Sequence, residues 1–189
     1  MKRIAILASG AGSNAANIIE YFKSNAGAEV VLIASNKSDA GVLKIAAMNA
    51  IPTFILTRDN FKESAEFIRE VKSMQVDFIV LAGFLWKVPA AFVSEFPQRI
   101  INIHPSLLPK YGGKGMYGHF VHEAVHAAHE AESGITIHWV NEHYDEGAII
   151  AQYRTDISEG DSVTDIERKV RALEMEWFPH VLKEVLMSC

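Results

Sequence analysis

The sequence predicts an α/β fold: a Rossmann-like, doubly wound and mostly parallel sheet, with an antiparallel strand pair and a closing helix towards the C-terminus. Three observations support this prediction. Short apolar runs alternate with amphipathic helical patterns over roughly the first half of the chain. A glycine-rich turn directly follows the first apolar run, and only a short polar segment joins the last two apolar runs.

The apolar runs of the first half are too short for ordinary helices and lie close to turn-forming residues, which favours buried strands. They are Ile4–Ala8, Val30–Ala34, Thr53–Leu56, Phe78–Ala82 and Ile100–Ile103. Helical patterns lie between them, at Ser13–Lys23, Gly41–Asn49, Asn60–Ser73 and Pro89–Phe96. This β-α-β-α order is typical of a parallel sheet, because each crossover returns the chain to the same edge.

A Pro/Gly-rich loop that ends at Gly118 separates this part from the C-terminal elements. Those elements are predicted to be a helix, two strands and a final helix, at His119–Glu130, Ile135–Val140, Ile149–Thr155 and Val163–Leu186. The tight polar segment between the two strands leaves no room for a crossover helix, so we expect them to pair antiparallel.

Composition narrows the class of protein. The 189 residues carry 18 Lys and Arg against 23 Asp and Glu, mixed along the chain, which argues against a general nucleic-acid surface. No apolar stretch approaches the roughly 20 residues that span a bilayer, and the first run is too short for a secretory signal. The single cysteine, Cys189, excludes an intrachain disulfide, and its thiol is expected on a frayed end. We expect one domain over residues 1–189 that is soluble, cytoplasmic and free of membranes.

The segment Ser9-Gly10-Ala11-Gly12-Ser13-Asn14 follows the first strand and opens the first helix. Free backbone N–H groups and the helix dipole favour an anion at such a position. The segment lacks both the Gly-Lys-Ser/Thr of a P-loop and the third glycine of the dinucleotide fingerprint. Two interpretations therefore stay open: a phosphate site, and a tight turn in which Ser13 or Asn14 caps the helix.

A polar pair, Asn102 and His104, stands at the carboxyl end of a predicted central strand. Side chains alternate along a strand, so both point to one side, and open α/β sheets bind ligands at this end. An amide that donates to a carbonyl oxygen and an imidazole that moves a proton suit a carbonyl substrate. A lone histidine at a strand end is more often a structural residue, so the pair alone leaves both interpretations open.

The segment Asn102-Ile103-His104-Pro105-Ser106-Leu107-Leu108-Pro109 strongly resembles the hallmark of the folate-dependent formyltransferase family, in particular the phosphoribosylglycinamide formyltransferases of purine biosynthesis. The resemblance extends along the chain through Ala8–Asn14, Ser35–Lys37, Leu81–Phe84, Leu108–Tyr111 and His143–Gly147. It implies an enzyme that transfers the formyl group of 10-formyltetrahydrofolate, its cosubstrate, to the amine of glycinamide ribonucleotide without a metal.

The resemblance also implies roles for individual residues. Asn102, His104 and Asp145 match the family's catalytic residues: the amine attacks the formyl carbon, and Asn102 with protonated His104 stabilises the oxyanion. Asp145 is expected to keep His104 protonated, since an opposite charge raises a histidine pKa. A proton then passes from the amine to the folate N10, by way of a water near Asp145. The positions implied to bind the substrate phosphate are Gly12, Ser13 and Asn14.

Further ligand contacts are implied with departures from the family pattern. The positions that match the folate pocket are Leu85, Trp86, Lys87, Val88, Asn102 and Lys62. The segment Leu85–Val88 stands where the best-known pattern has Met-Arg-Ile-Leu, so Trp86 replaces an arginine. Contacts with the ribonucleotide are implied for Arg171, Glu174 and His119. The family pattern has glutamine at the position of Arg171. A surface ion pair between Arg171 and Glu174 is a rival interpretation. The glycine-rich loop Lys110–Gly118 is expected to be a mobile lid.

A rival class is suggested by His122-Glu123-Ala124-Val125-His126, which fits the H-E-x-x-H pattern of zinc proteases and is continued by His119 and His129. Catalytic zinc needs a third protein ligand. Glu142, His143 and Glu146 do not supply one convincingly, so a histidine-rich helix face is the favoured interpretation.

Two related enzymes share the predicted fold. Formyltetrahydrofolate hydrolase, which deformylates its folate, and methionyl-tRNA formyltransferase both carry an additional domain, and the length of this chain argues against them. The oligomeric state stays open between monomer and homodimer.

Overall fold

The computed structural model describes residues 1–188, and over these residues seven strands form one sheet. The expectation for the Cys189 thiol lies outside the described residues. The strands are β1 Lys2–Leu7, β2 Ala28–Ser35, β3 Thr53–Ile55, β4 Phe78–Leu81, β5 Ile100–His104, β6 Glu132–Trp139 and β7 Ile149–Asp156. The helices are α1 Ser13–Ser24, α2 Gly41–Met48, α3 Arg58–Glu63, α4 Ala65–Ser73, α5 Ala90–Glu95, α6 His119–Ala127 and α7 Val163–Ser188.

The strand order is β3-β2-β1-β4-β5-β6-β7. The first five strands are parallel, whereas β6 and β7 are antiparallel to their neighbours. The predicted fold class, including the antiparallel pair and the closing helix, is confirmed. Because β1 pairs with both β2 and β4, the chain turns in opposite directions from this strand, which creates the switch point where such sheets bind ligands.

Both faces of the sheet are covered, and alternate residues of each central strand belong to different cores. In β1, Ile4 and Ile6 pack on one side, while Ala5 and Leu7 pack on the other. Helices α1, α2, α6 and α7 cover the first side, and α3, α4 and α5 cover the second. Burial on both faces explains why the strands read as continuous apolar runs.

The predicted helix Asn60–Ser73 is wrong in one respect, because the structure divides this region into α3 and α4. Thr57 and Asn60 form a reciprocal capping box that starts α3 two residues before the prediction. Ser64 then adopts a left-handed φ of 58° and is fully buried, and its hydroxyl donates to the Phe61 carbonyl over 2.6 Å. A single serine in this conformation ends one helix and begins the next without breaking the apolar spacing.

Strand β6 begins at Glu132, three residues before the predicted start at Ile135. The residues Glu132, Ser133 and Gly134 pair with β7 although none of them is apolar. A pattern based on apolar residues therefore misses them. Among residues 1–188, no helix is both long and apolar enough to cross a membrane.

Candidate active site

A cleft of about 600 Å³ opens at the carboxyl ends of β1, β4 and β5. The loop after β1, the hairpin between β6 and β7 and one face of α7 complete its walls. The cleft brings together most residues predicted for the site: Gly12, Ser13, Asn14, Leu85, Asn102, His104, Asp145, Arg171 and Glu174. Trp86, Lys87, Val88, Lys62 and His119 do not line it.

The glycine loop turns from β1 into α1 at Gly12, whose φ is 82°. A Cβ at Gly12 would lie 2.8 Å from three atoms of Val42, so this position requires glycine both for its conformation and for space. No side chain caps the start of α1. The interpretation in which Ser13 or Asn14 caps the helix is therefore wrong, since Gly12 occupies the cap position and the Asn14 amide is engaged elsewhere.

Ser9 joins three of the loops that surround the cleft. Its hydroxyl donates to the Asn36 side-chain oxygen over 2.6 Å and accepts the Leu85 N–H over 2.9 Å. Its own backbone N–H donates to the Gly83 carbonyl over 3.0 Å. The loops after β1, β2 and β4 are thus fixed to one another by a single buried residue.

His104 ends β5 and is buried, with an exposed fraction of 4%. Its Nε2 lies 2.7 Å from the Tyr111 carbonyl oxygen. A carbonyl can only accept, so Nε2 carries a hydrogen in both protonation states of the ring, and Nδ1 is the nitrogen that gains or loses the proton. Nδ1 lies 3.6 Å from Oδ2 of Asp145, which is too long for a hydrogen bond but close for an electrostatic interaction.

Burial and charge act in opposite directions on this pair. Burial lowers the pKa of His104 below its ordinary value and outweighs Asp145 and the Tyr111 carbonyl, which raise it. The pKa of Asp145 would be raised by burial, but His138, His104 and the Gly113 N–H bring it below its usual value. Asp145 thus raises the pKa of His104 as predicted, but burial outweighs this effect, so the direction of the shift favours the neutral imidazole in the free protein.

Asp145 reaches His104 from the hairpin between β6 and β7, where it adopts a left-handed φ of 55°. Its Oδ2 accepts the Gly113 N–H over 2.9 Å. Two residues further on, a Cβ at Gly147 would collide with the Trp139 carbonyl, so only glycine allows the hairpin to close this tightly. The turn therefore directs Asp145 back over the end of β5.

His138 is a site residue that the sequence did not reveal. It lies opposite Asn102 in the β5–β6 pairing, and its Nε2 is 3.1 Å from the Asn102 amide nitrogen. Its Nδ1 is 2.8 Å from the Trp139 carbonyl, so in the neutral ring Nδ1 donates there and Nε2 accepts from Asn102. The alternation Ile135-Thr136-Ile137-His138 indicates which face His138 occupies, but only the register shows that it meets Asn102.

Comparison with known proteins agrees with this geometry. The family model described as "Formyl transferase" matches residues 2–182. The chain belongs to the formyl transferase family. The predicted family is thereby confirmed. Several elements of the resemblance, including the His104 segment and the glycine loop, lie together in the cleft of this formyl transferase.

Several proteins are similar in sequence to this formyl transferase over nearly its whole length. A protein of Haemophilus influenzae named phosphoribosylglycinamide formyltransferase is 38% identical over 97% of this chain and 86% of its own length. The chloroplastic phosphoribosylglycinamide formyltransferase of Arabidopsis thaliana is 37% identical over 96% of this chain, which spans only 64% of that relative. A solved phosphoribosylglycinamide formyltransferase structure from Bacillus halodurans is 36% identical, with a TM-score of 0.91 over 98% of this chain and 95% of its own.

Helix α7 forms the wall of the cleft opposite His104. Glu174 is half-buried and accepts the Asn14 amide N–H over 2.9 Å, which leaves Oδ1 of Asn14 buried without a partner. Burial raises the pKa of Glu174, although Asn14 and Arg171 act against this effect. Glu167 also lines the cleft, one helical turn before Arg171, and no motif or pattern in the sequence singled it out.

The segment predicted to hold folate lies largely behind the cleft. Trp86 packs in an aromatic group with Phe61 and Phe84, and the Arg58 guanidinium stacks 5.2 Å from the Trp86 ring. Val88 is 5% exposed in the core, and the Lys87 ammonium lies 5.6 Å from the Tyr144 ring. Leu85 alone of the four residues faces the cleft.

Two other predicted contacts also lie away from the cleft. Lys62 is exposed on α3. His119 is exposed at the start of α6, where its ring lies 3.0 Å from the Glu167 carboxylate and 3.5 Å from that of Glu123. His119 therefore borders the cleft wall through Glu167 instead of lining it.

The H-E-x-x-H pattern on α6 places its two histidines in different surroundings. His122 is 4% exposed and lines the cleft, whereas His126 is exposed. Over residues 1–188, no three His, Cys, Asp or Glu side chains are grouped as a metal site would need. The geometry gives no support to the zinc protease interpretation.

Proposed function

We propose that this chain transfers the formyl group of 10-formyltetrahydrofolate to the amine of glycinamide ribonucleotide, a step of purine biosynthesis, and that residues 1–189 act as a single formyltransferase domain. One observation carries this proposal: Asn102, His104 and Asp145 meet at one end of a cleft whose other end is the uncapped start of α1. The family and the names of the relatives support it.

The phosphate of the ribonucleotide is assigned to the glycine loop, at Gly12, Ser13 and Asn14. The backbone N–H groups at the start of α1 have no side-chain cap, and a helix start favours an anion. Lys37 and Arg171 line the same cleft and supply positive charge. Together these groups suit a phosphate, which is dianionic near neutral pH.

His104 is assigned the proton transfer. When the amine nitrogen attacks the formyl carbon, a C–N bond forms, the carbonyl electrons move to oxygen and the nitrogen becomes acidic. Neutral His104 accepts this proton at Nδ1, the free nitrogen of its ring. The imidazolium then lies beside the Asp145 carboxylate and returns the proton to folate N10 as the C–N10 bond breaks. This assignment replaces the expected oxyanion role of a preformed imidazolium.

Asn102 is assigned the stabilisation of the oxyanion. One amide N–H donates to Nε2 of His138, and the second N–H is left for the formyl oxygen. His138 therefore acts on the reaction through Asn102, because it fixes which end of the amide carries the donors. A donor held in position before the reaction stabilises developing negative charge without reorganisation.

The folate side of the cleft is assigned to Leu85 and Asn102, which line it, together with Tyr144 of the hairpin. Leu85 and Tyr144 are exposed by 37% and 38% and offer apolar surface to a flat ligand. Trp86, Lys87 and Val88 support this loop from behind, and Lys62 contributes at most a distant charge. Trp86 is therefore assigned a packing role, and it does not replace the ligand contact of the arginine that the family pattern has at this position.

Formyltetrahydrofolate hydrolysis is the alternative within the fold, because water can replace the amine as the nucleophile. The glycine loop favours the ribonucleotide, since hydrolysis has no use for a phosphate site.

We further propose that the substrates are small molecules and not nucleic acid, in keeping with the net charge of −5. We also propose that the enzyme is cytoplasmic, since its single cysteine suits a reducing compartment.

An assay of purified protein tests the proposal. Glycinamide ribonucleotide and 10-formyltetrahydrofolate together should give formylated product, while the folate without the amine should be stable. His104→Ala should lower kcat by about 10²- to 10⁴-fold, since a general base is lost, whereas His126→Ala, at an exposed position on α6, should keep the parent rate. Formate release without the amine at the same rate would establish the hydrolase instead, and full activity of His104→Ala would refute its role. Light scattering decides between the monomer and the homodimer.

A further inference from the structure

His122 stands out because it is a buried histidine that the assigned steps do not use. It lies on α6, is 4% exposed and lines the cleft beside α7. Its Nδ1 is buried and has no hydrogen-bond partner among residues 1–188. An unpaired polar atom in such a place is costly, and native proteins rarely keep one without a use.

The unpaired atoms of the described residues are concentrated at this cleft. Three buried side-chain atoms lack partners: Oδ1 of Asn14, Nδ1 of His122 and Oγ of Ser133. The first two belong to residues that line the cleft, on α1 and α6, the helices that pack on either side of α7. Nε2 of His122 is not among these enclosed atoms and has no hydrogen-bond partner among residues 1–188, so it is the nitrogen that a ligand in the cleft can reach.

The charges around His122 place it between the two ends of the cleft. Burial lowers the pKa of His122, Glu167 raises it, and Arg171 lowers it, as His119 and His104 do in their protonated forms. It is therefore neutral at pH 7 and offers one donor and one acceptor. His104 lies at the reacting end of the cleft and Arg171 at the phosphate end, and both interact electrostatically with His122.

We infer that His122 binds a ribose hydroxyl of the ribonucleotide, an inference that rests on the proposed function. The ribose is the part of this substrate between the phosphate and the amine, and a hydroxyl both donates and accepts. A neutral imidazole matches it in either tautomer. His122 is thus a substrate-binding residue for the sugar, and it takes no part in the proton transfer.

Kinetics with His122→Leu test the inference. The KM for glycinamide ribonucleotide should rise about three- to tenfold, as expected for one lost hydrogen bond, with kcat changed less than about twofold. The matched control is His126→Leu, one turn later on the same helix and exposed, for which both constants should stay at the parent values. An unchanged KM in His122→Leu would overturn the inference.

Deoxy analogues identify the contact. The parent enzyme should lose a similar factor with either the 2′-deoxy or the 3′-deoxy ribonucleotide, while His122→Leu should no longer distinguish that analogue from the natural substrate. Equal discrimination by both proteins would show that another residue reads the hydroxyl. If circular dichroism shows that His122→Leu does not fold, His122→Gln takes its place, and because it keeps a hydrogen-bonding group it should discriminate against the deoxy analogue to an intermediate degree. Discrimination by His122→Gln equal to that of the parent enzyme would count against the contact.

Calorimetry separates this inference from the proposed reaction. Ribose 5-phosphate should bind the parent protein more tightly than His122→Leu by the same three- to tenfold factor, and this measurement needs no formyl transfer. If the protein has no transferase activity but this difference is present, the reaction is wrong and the sugar contact stands. If the activity is present and both proteins bind the sugar phosphate equally, or neither binds it, the sugar contact is wrong.

Discussion

Asp145→Asn tests the electrostatic part of the proposed mechanism. The substitution keeps the size of the side chain and an oxygen that can accept the Gly113 N–H, but it removes the negative charge 3.6 Å from Nδ1 of His104. The neutral ring of the resting enzyme should be little affected. The imidazolium that forms during the reaction loses its partner.

The size of the effect follows from the distance. Two unit charges 3.6 Å apart interact by about 4 to 5 kcal/mol at an effective dielectric constant of about 20. The His104 and Asp145 side chains are 5% and 11% exposed, so solvent screens this interaction little. The asparagine dipole recovers part of it. Since about 1.4 kcal/mol corresponds to a factor of ten in rate, we expect kcat to fall by about 10²- to 10³-fold.

The pH dependence of kcat tests whether His104 acts as a base. Because neutral His104 is the active form, kcat should increase as the pH rises through its pKa, which lies below the ordinary histidine value, and should then reach a plateau. Asp145 raises that pKa, so Asp145→Asn should move the acid limb to lower pH while lowering the plateau. The amine of the substrate titrates near about 7.7 to 8.0 in both proteins, so the ratio of variant to parent kcat cancels its contribution.

Stopped-assay rates across pH 4.5 to 8.5, at saturating substrates, measure this ratio. A rate that falls as His104 loses its proton would show that the imidazolium is the active form and would refute the assignment of His104 as a base. An acid limb that moves to higher pH in Asp145→Asn would contradict the expected effect of Asp145 on the pKa of His104. An unchanged plateau would show that Asp145 acts only through its turn.

Three further substitutions probe the parts around this centre. Gly12→Ala should lower the free energy of unfolding by about 1 to 3 kcal/mol, because Gly12 has a φ of 82° and a Cβ there would contact Val42. The control is Gly10→Ala, where a Cβ meets nothing within 4 Å, and its free energy of unfolding should stay within about 0.5 kcal/mol of the parent value. His138→Leu should lower kcat about tenfold with little change in KM, and His138→Gln, whose amide oxygen can accept the Asn102 N–H, should restore part of it; an equal loss in both would exclude positioning of the amide. Lys37→Ala should raise the KM for the ribonucleotide several-fold at low salt, with a smaller effect at high salt; an effect independent of salt would contradict its role as a charge near the phosphate.

The sequence predicted those parts of the site that depend on local pattern. Asn102 and His104 are two residues apart in one strand, so their common side followed from alternation alone. The glycine loop followed from its place between a strand and a helix. Neither inference needed any knowledge of which distant residues would approach.

The remaining parts depend on contacts between distant segments. Asp145 was reached only through the family resemblance, because its position is set by a left-handed turn and the close approach at Gly147. His138 depends on the register of an antiparallel pair, which a one-residue slip would reverse. Trp86 was expected in the pocket, but local packing against Phe61 and Phe84 decided its place.

Two backbone groups of the glycine-rich loop, the Tyr111 carbonyl and the Gly113 N–H, hold the histidine and the carboxylate of the catalytic centre. The Tyr111 carbonyl fixes the hydrogen on Nε2 of His104, and the neighbouring Gly113 N–H holds Asp145. A movement of this loop would therefore release the histidine and its carboxylate together. Since the loop also lines the cleft, ligand binding that orders it would fix the proton acceptor and its partner in one step, and a closed loop becomes a condition for the proton transfer.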